Sequence, residues 1–333
     1  MVPDTIEFYG VRCNAIVTLN DIRAAHSRLD GIAVRTPLLE WTNSTDPRKL
    51  FLKLENLQPI GAFKLRGAYN KIASLAENER RRGVVSYSSG NHAQGVAYAA
   101  RALGVKAVIV MPGNAPKNKL ESTAALGAEI VKVGPGSEER RIRAEELAAQ
   151  HGYAVIPPYN DEHIIAGQGT TGMEILEQLP EVETVLVPVG GGGLISGIAT
   201  ALKLSKPSVK IVGVEPELAA DAQASLRAGH VVSFDAEQVT QTLADGLRTQ
   251  SIGDINFEHI RAYVDDIITV KETEIEQAMR ALGDNTKTLA EPSGAVAVAG
   301  FLFHAAELPK TKFNVAVISG GNIDPDLLAR LHA

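Results

Sequence analysis

An α/β architecture built on parallel sheets is the fold class this sequence predicts, and three observations carry it. Short apolar runs of strand character alternate with helix-length runs almost throughout the chain. Polar or glycine-rich turns stand where a strand run passes into a helical one, as at Ser88-Ser89-Gly90-Asn91-His92 and Gly190-Gly191-Gly192-Gly193. No repeat and no low-complexity linker divides the 333 residues, so any two domains are expected to be interwoven rather than strung in series. Strands joined by helices pair in parallel, and the helices then cover both faces of the sheet.

In chain order, Thr18-Leu19-Asn20-Asp21 is a capping pattern that opens the first helix. Residues 51–54 are an apolar strand run that ends in a turn reaching Pro59, and residues 84–87 are a second run entering a polar turn. The small-residue stretch 92–103 follows as a helix, and strands are expected at 106–111 and 129–133. Helix 137–150 opens with Ser137 as the expected N-cap and with Glu138 and Glu139 in its first turn, where acids suit the helix dipole. Strands at 153–156, 184–189, 210–214, 266–270 and 314–318 complete the set, with helices at 194–204 and 274–282 among them.

The bulk numbers narrow the class. Hydrophobic residues make up 45% of the chain, enough for a substantial core and two domains. Charged residues are 22%, both signs are interspersed, and the net charge is −6, which argues against a nucleic-acid binder. Cys13 is the only cysteine, so no intramolecular disulfide forms and a reducing compartment fits. The acidic start Met1-Val2-Pro3-Asp4 lacks the apolar core of a signal peptide, and the most apolar stretch, 295–306, is too short to span a bilayer. A cytoplasmic protein that engages no membrane is therefore expected.

Four segments carry the chemistry. In Gly61-Ala62-Phe63-Lys64-Leu65-Arg66-Gly67 a lysine sits among apolar neighbours. A lysine so placed loses its proton readily and becomes a nucleophile toward carbonyls, although a lone lysine is ordinarily a solvated charge. The four glycines at 190–193 join an apolar strand to an apolar helix, so backbone N–H groups can converge on an anion at the helix start. A dinucleotide fingerprint is the main competitor there. It is broken, because Ile195 or Ser196 stands where its last glycine is needed, and no G-K-[ST] P-loop exists. Ser88-Ser89-Gly90-Asn91-His92 is a second strand–turn–helix junction able to receive an anion, with an ordinary Ser/Asn cap as the alternative. His92 has no second His or Cys spaced to make a metal site with it. Ser319-Gly320-Gly321-Asn322 closes the set at the C-terminal end of the last strand, where ligands of open α/β sheets gather.

In order and spacing these segments resemble the fold-type II pyridoxal 5'-phosphate (PLP) enzymes, most closely the threonine/serine dehydratase and serine racemase group, from about Thr18 to the C-terminus. The resemblance implies a tryptophan synthase β-like fold with two open, twisted, mostly parallel sheets and flanking helices. It implies a small substrate-loop domain, residues 81–160, inserted into a larger PLP-binding domain made of 1–80 and 161–333. It implies further that Lys64 holds PLP, that Phe63 packs near the ring and that Asn91 hydrogen-bonds the ring oxygen. Gly190, Gly191, Gly192, Gly193 and Leu194 would hold the phosphate, and Ser319 would meet the pyridine nitrogen. A neutral hydroxyl at that nitrogen weakens the electron sink and suits elimination at Cβ, or proton removal with rapid return. The loop Ser88, Ser89, Gly90, Asn91 and His92 would hold the substrate α-carboxylate.

Two departures bear on the reaction. Ser89 stands where typical threonine dehydratases carry alanine, whereas serine racemase-like members carry a serine that acts as the second base. Arg140 corresponds to an arginine near the substrate in racemases, suited to a second carboxylate such as that of 3-hydroxyaspartate. Ala62 replaces a commoner serine, and the position stays small. Glu215, Ala219 and Asp221 match the oxygen ligands of a divalent cation, Mg²⁺ or Ca²⁺, in the racemase-like members. Their structural alternative is a loop acid and a helix start. The chain ends soon after Ser319, from which a catabolic or unregulated form without a C-terminal regulatory domain is expected.

The function expected is a PLP-dependent ammonia-lyase acting on L-threonine or L-serine, with Lys64 and Ser89 as catalytic groups. A serine racemase or 3-hydroxyaspartate dehydratase is the alternative. A non-catalytic amino-acid-binding protein is disfavoured by the intact Lys64, and a nicotinamide oxidoreductase by the broken fingerprint. The partners expected are a small β-hydroxy amino acid and, as is typical of the family, a second copy in a homodimer.

Overall fold

The computed structural model describes residues 16–42, 46–88, 90–113, 115, 117–134 and 136–331. Its first sheet has six strands in the order β1-β2-β10-β7-β8-β9, drawn from both ends of the described chain. These are β1 (Leu38–Glu40), β2 (Lys49–Leu54), β7 (Thr184–Pro188), β8 (Lys210–Pro216), β9 (Asp266–Val270) and β10 (Phe313–Ile318). The second sheet has four, β5 (Glu129–Val133), β4 (Ala107–Pro112), β3 (Val84–Tyr87) and β6 (Ala154–Val155), in that order. Every pairing is parallel except that of β1 with β2.

All nine expected strands form, with ends moved by a few residues. The strand expected at 153–156 shrinks to two residues, and that at 106–111 begins at Ala107. β1 was not foreseen. It is a three-residue antiparallel edge, too short for its side chains to display a period. One capping expectation is corrected: the helix Ser137–His151 starts at Ser137, and the N-cap is Gly136. Gly136 holds the extended backbone there, while Glu139 reaches back to accept the Gly134 N–H at 2.9 Å. The first helix, Leu19–Leu29, opens as expected on Thr18, whose hydroxyl accepts the Asp21 N–H in a capping box.

Strand period explains how the large sheet is buried. On β10, Ala316 and Ile318 join the core on one face, and Val315 and Val317 join that on the other. The helix Pro292–Phe303 packs on the first face through residues such as Val296, Val298 and Phe301. The helix Gly193–Ser205 packs on the second through Leu194, Ile195, Ile198 and Leu202. A parallel sheet covered on both sides needs continuous apolar strands, which is why these runs stood out in the sequence. The apolar stretch at 295–306 is mostly this core helix, and no helix among the described residues is long and apolar enough to cross a membrane.

One polar cluster lies inside the core. Arg66 donates to both carboxyl oxygens of Glu55, at 2.7 and 2.8 Å, and to those of Glu174, at 2.7 and 2.9 Å. Lys53 bonds Glu174 at 2.5 Å and the Thr36 carbonyl at 2.8 Å. All four charged groups are buried, and their charges cancel. Removing one partner strands a charge in low dielectric, at about 3–5 kcal/mol. Arg66 belongs to the helix Lys64–Ser74, so the cluster ties down the first turn of that helix.

Candidate functional site

The carboxyl ends of β3, β7 and β10 open on one cavity of about 490 Å³, lined by residues from both sheets. This is where α/β sheets present ligand sites. The cavity brings together Phe63, Lys64, Ser88, Gly90, Asn91, His92 and Arg140 with Gly190, Gly191, Gly192, Gly193, Leu194 and Ser319. Ser89 lies outside the described residues. Glu215, Ala219 and Asp221 are not in this wall.

Lys64 is held there by backbone pairing. Ala62 forms an antiparallel bridge with Gly320, Phe63 N–H donates to the Ser319 carbonyl at 3.1 Å, and Gly321 N–H to the Gly61 carbonyl at 2.9 Å. Two segments more than 250 positions apart in sequence are thus zipped together, placing Lys64 and Ser319 on one wall. Gly61 has φ +72° and faces the Asn322 amide, where a Cβ would lie 2.5 Å from Oδ1. The Lys64 amine donates to the Pro158 carbonyl at 2.8 Å and stands 5.2 Å from the Phe63 ring centre. Burial lowers its pKa to about 8, since no carboxylate compensates the lost hydration.

The glycine turn is built for close approach. Gly192 has φ +90° and caps the helix Gly193–Ser205, whose first N–H groups have no partner within the helix. A Cβ at Gly191 would lie 2.2 Å from the Tyr159 ring, and one at Gly192 would lie 2.9 Å from Asn256 Cβ. Tyr159 follows Pro158, so the residue beneath the turn adjoins the one that holds Lys64. Its hydroxyl pKa is pushed up to about 12 by burial, then by Tyr87 and Asp221, so it stays neutral.

Gly90 is the N-cap of the helix Asn91–Ala102, and no side chain caps it. The expected alternative of a Ser/Asn cap is not what Asn91 does: it is the first helical residue, bonded to Glu291 and Asn322. His92 is buried with Nε2 3.1 Å from the Ile156 carbonyl. Burial, and then the Lys64 charge, hold it down to about 3, so its imidazole is neutral. Ser319 Oγ donates to the Ser293 carbonyl at 3.3 Å. Burial also lowers the pKa of Arg140 on the helix Ser137–His151. The neighbouring Arg141 also lines the cavity and pairs with Glu138 and Glu145.

Sequence reasoning missed Glu291, Tyr159 and Ser293. Glu291-Pro292 reads as an ordinary helix start, and Tyr159 lies in an undistinguished loop; only the folded chain brings them to the cavity.

Elsewhere, Glu215 is buried and its two carboxyl oxygens accept the Ala222 and Gln223 N–H groups at 3.0 and 2.8 Å. Asp221 is also buried, and no hydrogen bond of ordinary geometry reaches either of its carboxyl oxygens. Burial, and then the Asp221 charge, raise the Glu215 pKa well above the usual range; burial raises that of Asp221 to about 7. Among the described residues no three His, Cys, Asp or Glu side chains gather as a metal site.

The family described as "Pyridoxal-phosphate dependent enzyme" matches residues 30–320. An L-threonine ammonia-lyase of Thermotoga maritima is 45% identical over 318 residues, covering 95% of this chain and 78% of that protein. An L-threo-3-hydroxyaspartate ammonia-lyase of Saccharomyces cerevisiae is 41% identical over 318 residues, covering 95% and 96%. The solved structure of maize serine racemase superposes with a TM-score of 0.91 at 38% identity, over 95% of this chain and 97% of that one.

Proposed function

The chain belongs to the pyridoxal-phosphate-dependent enzymes, and we propose that it is an ammonia-lyase converting L-threonine or L-serine to a 2-oxo acid and ammonia. The observation that carries this reading is Lys64: an amine softened by burial, in one cavity with a glycine turn at a helix start. The fit to PLP rests on that turn, where any Cβ at Gly191 or Gly192 would strike a neighbour, leaving bare backbone for a phosphate. When bound at Lys64, PLP supplies an electron sink for the bonds at the substrate Cα.

The protein does the rest. Backbone N–H groups from Gly190 to Leu194 hold the phosphate, and Phe63 packs by the ring. Asn91 donates to the ring oxygen, and the Ser319 hydroxyl faces the pyridine nitrogen without charging it. Ser88, Ser89, Gly90, Asn91 and His92 hold the α-carboxylate. Freed when the substrate amine takes its place, the Lys64 amine would remove the Cα proton and pass it to the departing β-hydroxyl, which leaves as water. Residues 81–160 act as a small substrate-loop domain on the larger body, a division supported by the separate four-stranded sheet.

Arg140 beside the cavity favours a second reading, elimination from 3-hydroxyaspartate, the substrate named for the yeast relative. Racemisation is a third reading, which turns on Ser89 as the second base. Incubation with L-threonine, L-serine and L-threo-3-hydroxyaspartate, measuring oxo acid, ammonia and D-serine, separates the three. A hydroxyaspartate preference lost in Arg140→Ala selects the second, and D-serine formation lost in Ser89→Ala selects the third. Mg²⁺ or Ca²⁺ bound by Glu215, the Ala219 carbonyl and Asp221 belongs to this proposal, supported by the two neighbouring buried carboxyl groups of Glu215 and Asp221. So does a homodimer, to which Leu57 and Leu289, both about half exposed, offer apolar surface.

A further inference from the structure

Three side chains behind the substrate loop form a hydrogen-bond chain whose direction follows from its ends. Asn322 Nδ2 reaches the Ile60 carbonyl at 2.9 Å, and a carbonyl only accepts, so the amine end of that carboxamide is fixed. The same Nδ2 donates to Asn91 Oδ1 at 2.8 Å. With its oxygen engaged there, Asn91 turns its own Nδ2 to Glu291 Oε1, at 2.5 Å. An amide nitrogen carries two N–H bonds, and this contact uses one. Asn91 and Glu291 both line the cavity, so the second N–H is the donor available to a ligand there.

Glu291 is placed unusually for an acid. It stands at the N-cap of the helix Pro292–Phe303, yet its side chain makes no capping bond to that helix. It reaches instead to Asn91, 200 positions away in sequence. Its backbone N–H donates to the Gly320 carbonyl at 3.1 Å, and a Cβ at Gly320 would lie 2.1 Å from Glu291 Oε1. Glycine at 320 therefore leaves the carboxyl its space. The group is 3% exposed, and burying a carboxyl without a cationic partner is costly. Burial, and then the nearby Asp245 charge, push its pKa to about 7, against smaller lowering by Asn91 and Lys119. Helix capping does not account for a side chain held there.

We propose that Glu291 is a positioning residue of the cofactor site: its carboxyl group clamps the Asn91 carboxamide against Asn322, so that the remaining Asn91 N–H is a fixed donor to the ring oxygen of PLP. This rests on the reading of Asn91 as a cofactor ligand. Glu291 acts through Asn91, so its effect disappears once Asn91 is gone.

The test is absorbance titration of the apoprotein with PLP, giving dissociation constants for wild type, Glu291→Ala, Glu291→Gln, Asn91→Ala and the Glu291→Ala/Asn91→Ala double variant. Thermal midpoints of the apo forms, followed in parallel, register any purely structural loss. Glu291→Ala is expected to weaken PLP binding about tenfold, the scale of one hydrogen bond. Glu291→Gln keeps an acceptor and should stay within about threefold of wild type. The double variant should match Asn91→Ala within about twofold, because coupled residues are not additive. If Glu291→Ala does not fold, Glu291→Met, similar in length and lacking the acceptor, takes its place. Additive losses, an unchanged constant in Glu291→Ala, or a Glu291→Gln as weak as the alanine variant would overturn the proposal. A wild type that takes up no PLP defeats the cofactor reading itself, which keeps the two failures distinct.

Discussion

Lys64 shows how environment makes a reagent of an ordinary side chain. Its amine has a carbonyl for a partner and no carboxylate, so burial acts unopposed and the pKa falls from 10.5 to about 8. Only the neutral amine attacks a carbonyl. The rate at which apoprotein captures PLP should therefore rise with pH and level off above about 8, which stopped-flow visible absorbance would follow. A rate still climbing toward pH 10.5 would mean that Lys64 is solvated like a surface lysine. Asp221 titrates in the opposite sense. Its folded-state pKa is raised from 3.8 to about 7, so the folded protein holds a proton that the unfolded chain has lost between those values. Chelator-treated protein should lose stability as pH rises through that window, and the penalty should persist above it. Added Ca²⁺ or Mg²⁺ should restore stability near pH 8 in thermal melts; Asp221→Asn should abolish the cation response and lessen the pH-dependent loss, of which the buried Glu215 keeps a share. A melt indifferent to cation in the wild type returns Glu215 and Asp221 to structural duty. Residue identity was legible at Lys64 because a lysine between Phe63 and Leu65 breaks the surface rule. At Glu291 it was not, because Glu-Pro at a helix start breaks none.

The decisive element is the strand–glycine–helix unit of β7 and the helix Gly193–Ser205. Its turn needs φ +90° at Gly192 and leaves no room for a side chain at Gly191 or Gly192. Gly192→Val should therefore weaken PLP binding by about a hundredfold or more, through both backbone strain and loss of approach. The thermal midpoint of the apo form should fall much less; equal losses would make the turn a structural one. Elements of this kind were readable because a buried parallel strand carries a continuous apolar run, as residues 185–188 of β7, 211–214 of β8 and 315–318 of β10 do. β1 and β6 show the limit. With three and two residues they depend on a neighbour's edge rather than on their own pattern. The N-cap at Gly136 rather than Ser137 is a similar case, decided by backbone shape more than by side-chain preference.

At the scale of the molecule, the site exists only because distant segments meet. Lys64 comes from one helix start, the glycine turn from another, Asn91 from the helix that follows β3, and Ser319 from the end of β10. Alternating strands and helices announced the α/β class, but periodicity does not say which strand pairs with which. The division into two sheets, with β10 lying between β2 and β7, is a matter of long-range pairing that no local window contains. The buried Arg66 cluster is equally hidden, since Lys53, Glu55 and Glu174 read locally as strand, turn and helix polar residues. All of this chemistry requires one covalent bond, between PLP and Lys64. Borohydride reduction of PLP-loaded protein, followed by peptide mapping, should place the reduced cofactor on Lys64 alone, and Lys64→Ala should retain none after dialysis. Label on another lysine, or a Lys64→Ala protein that still holds the cofactor covalently, would contradict it.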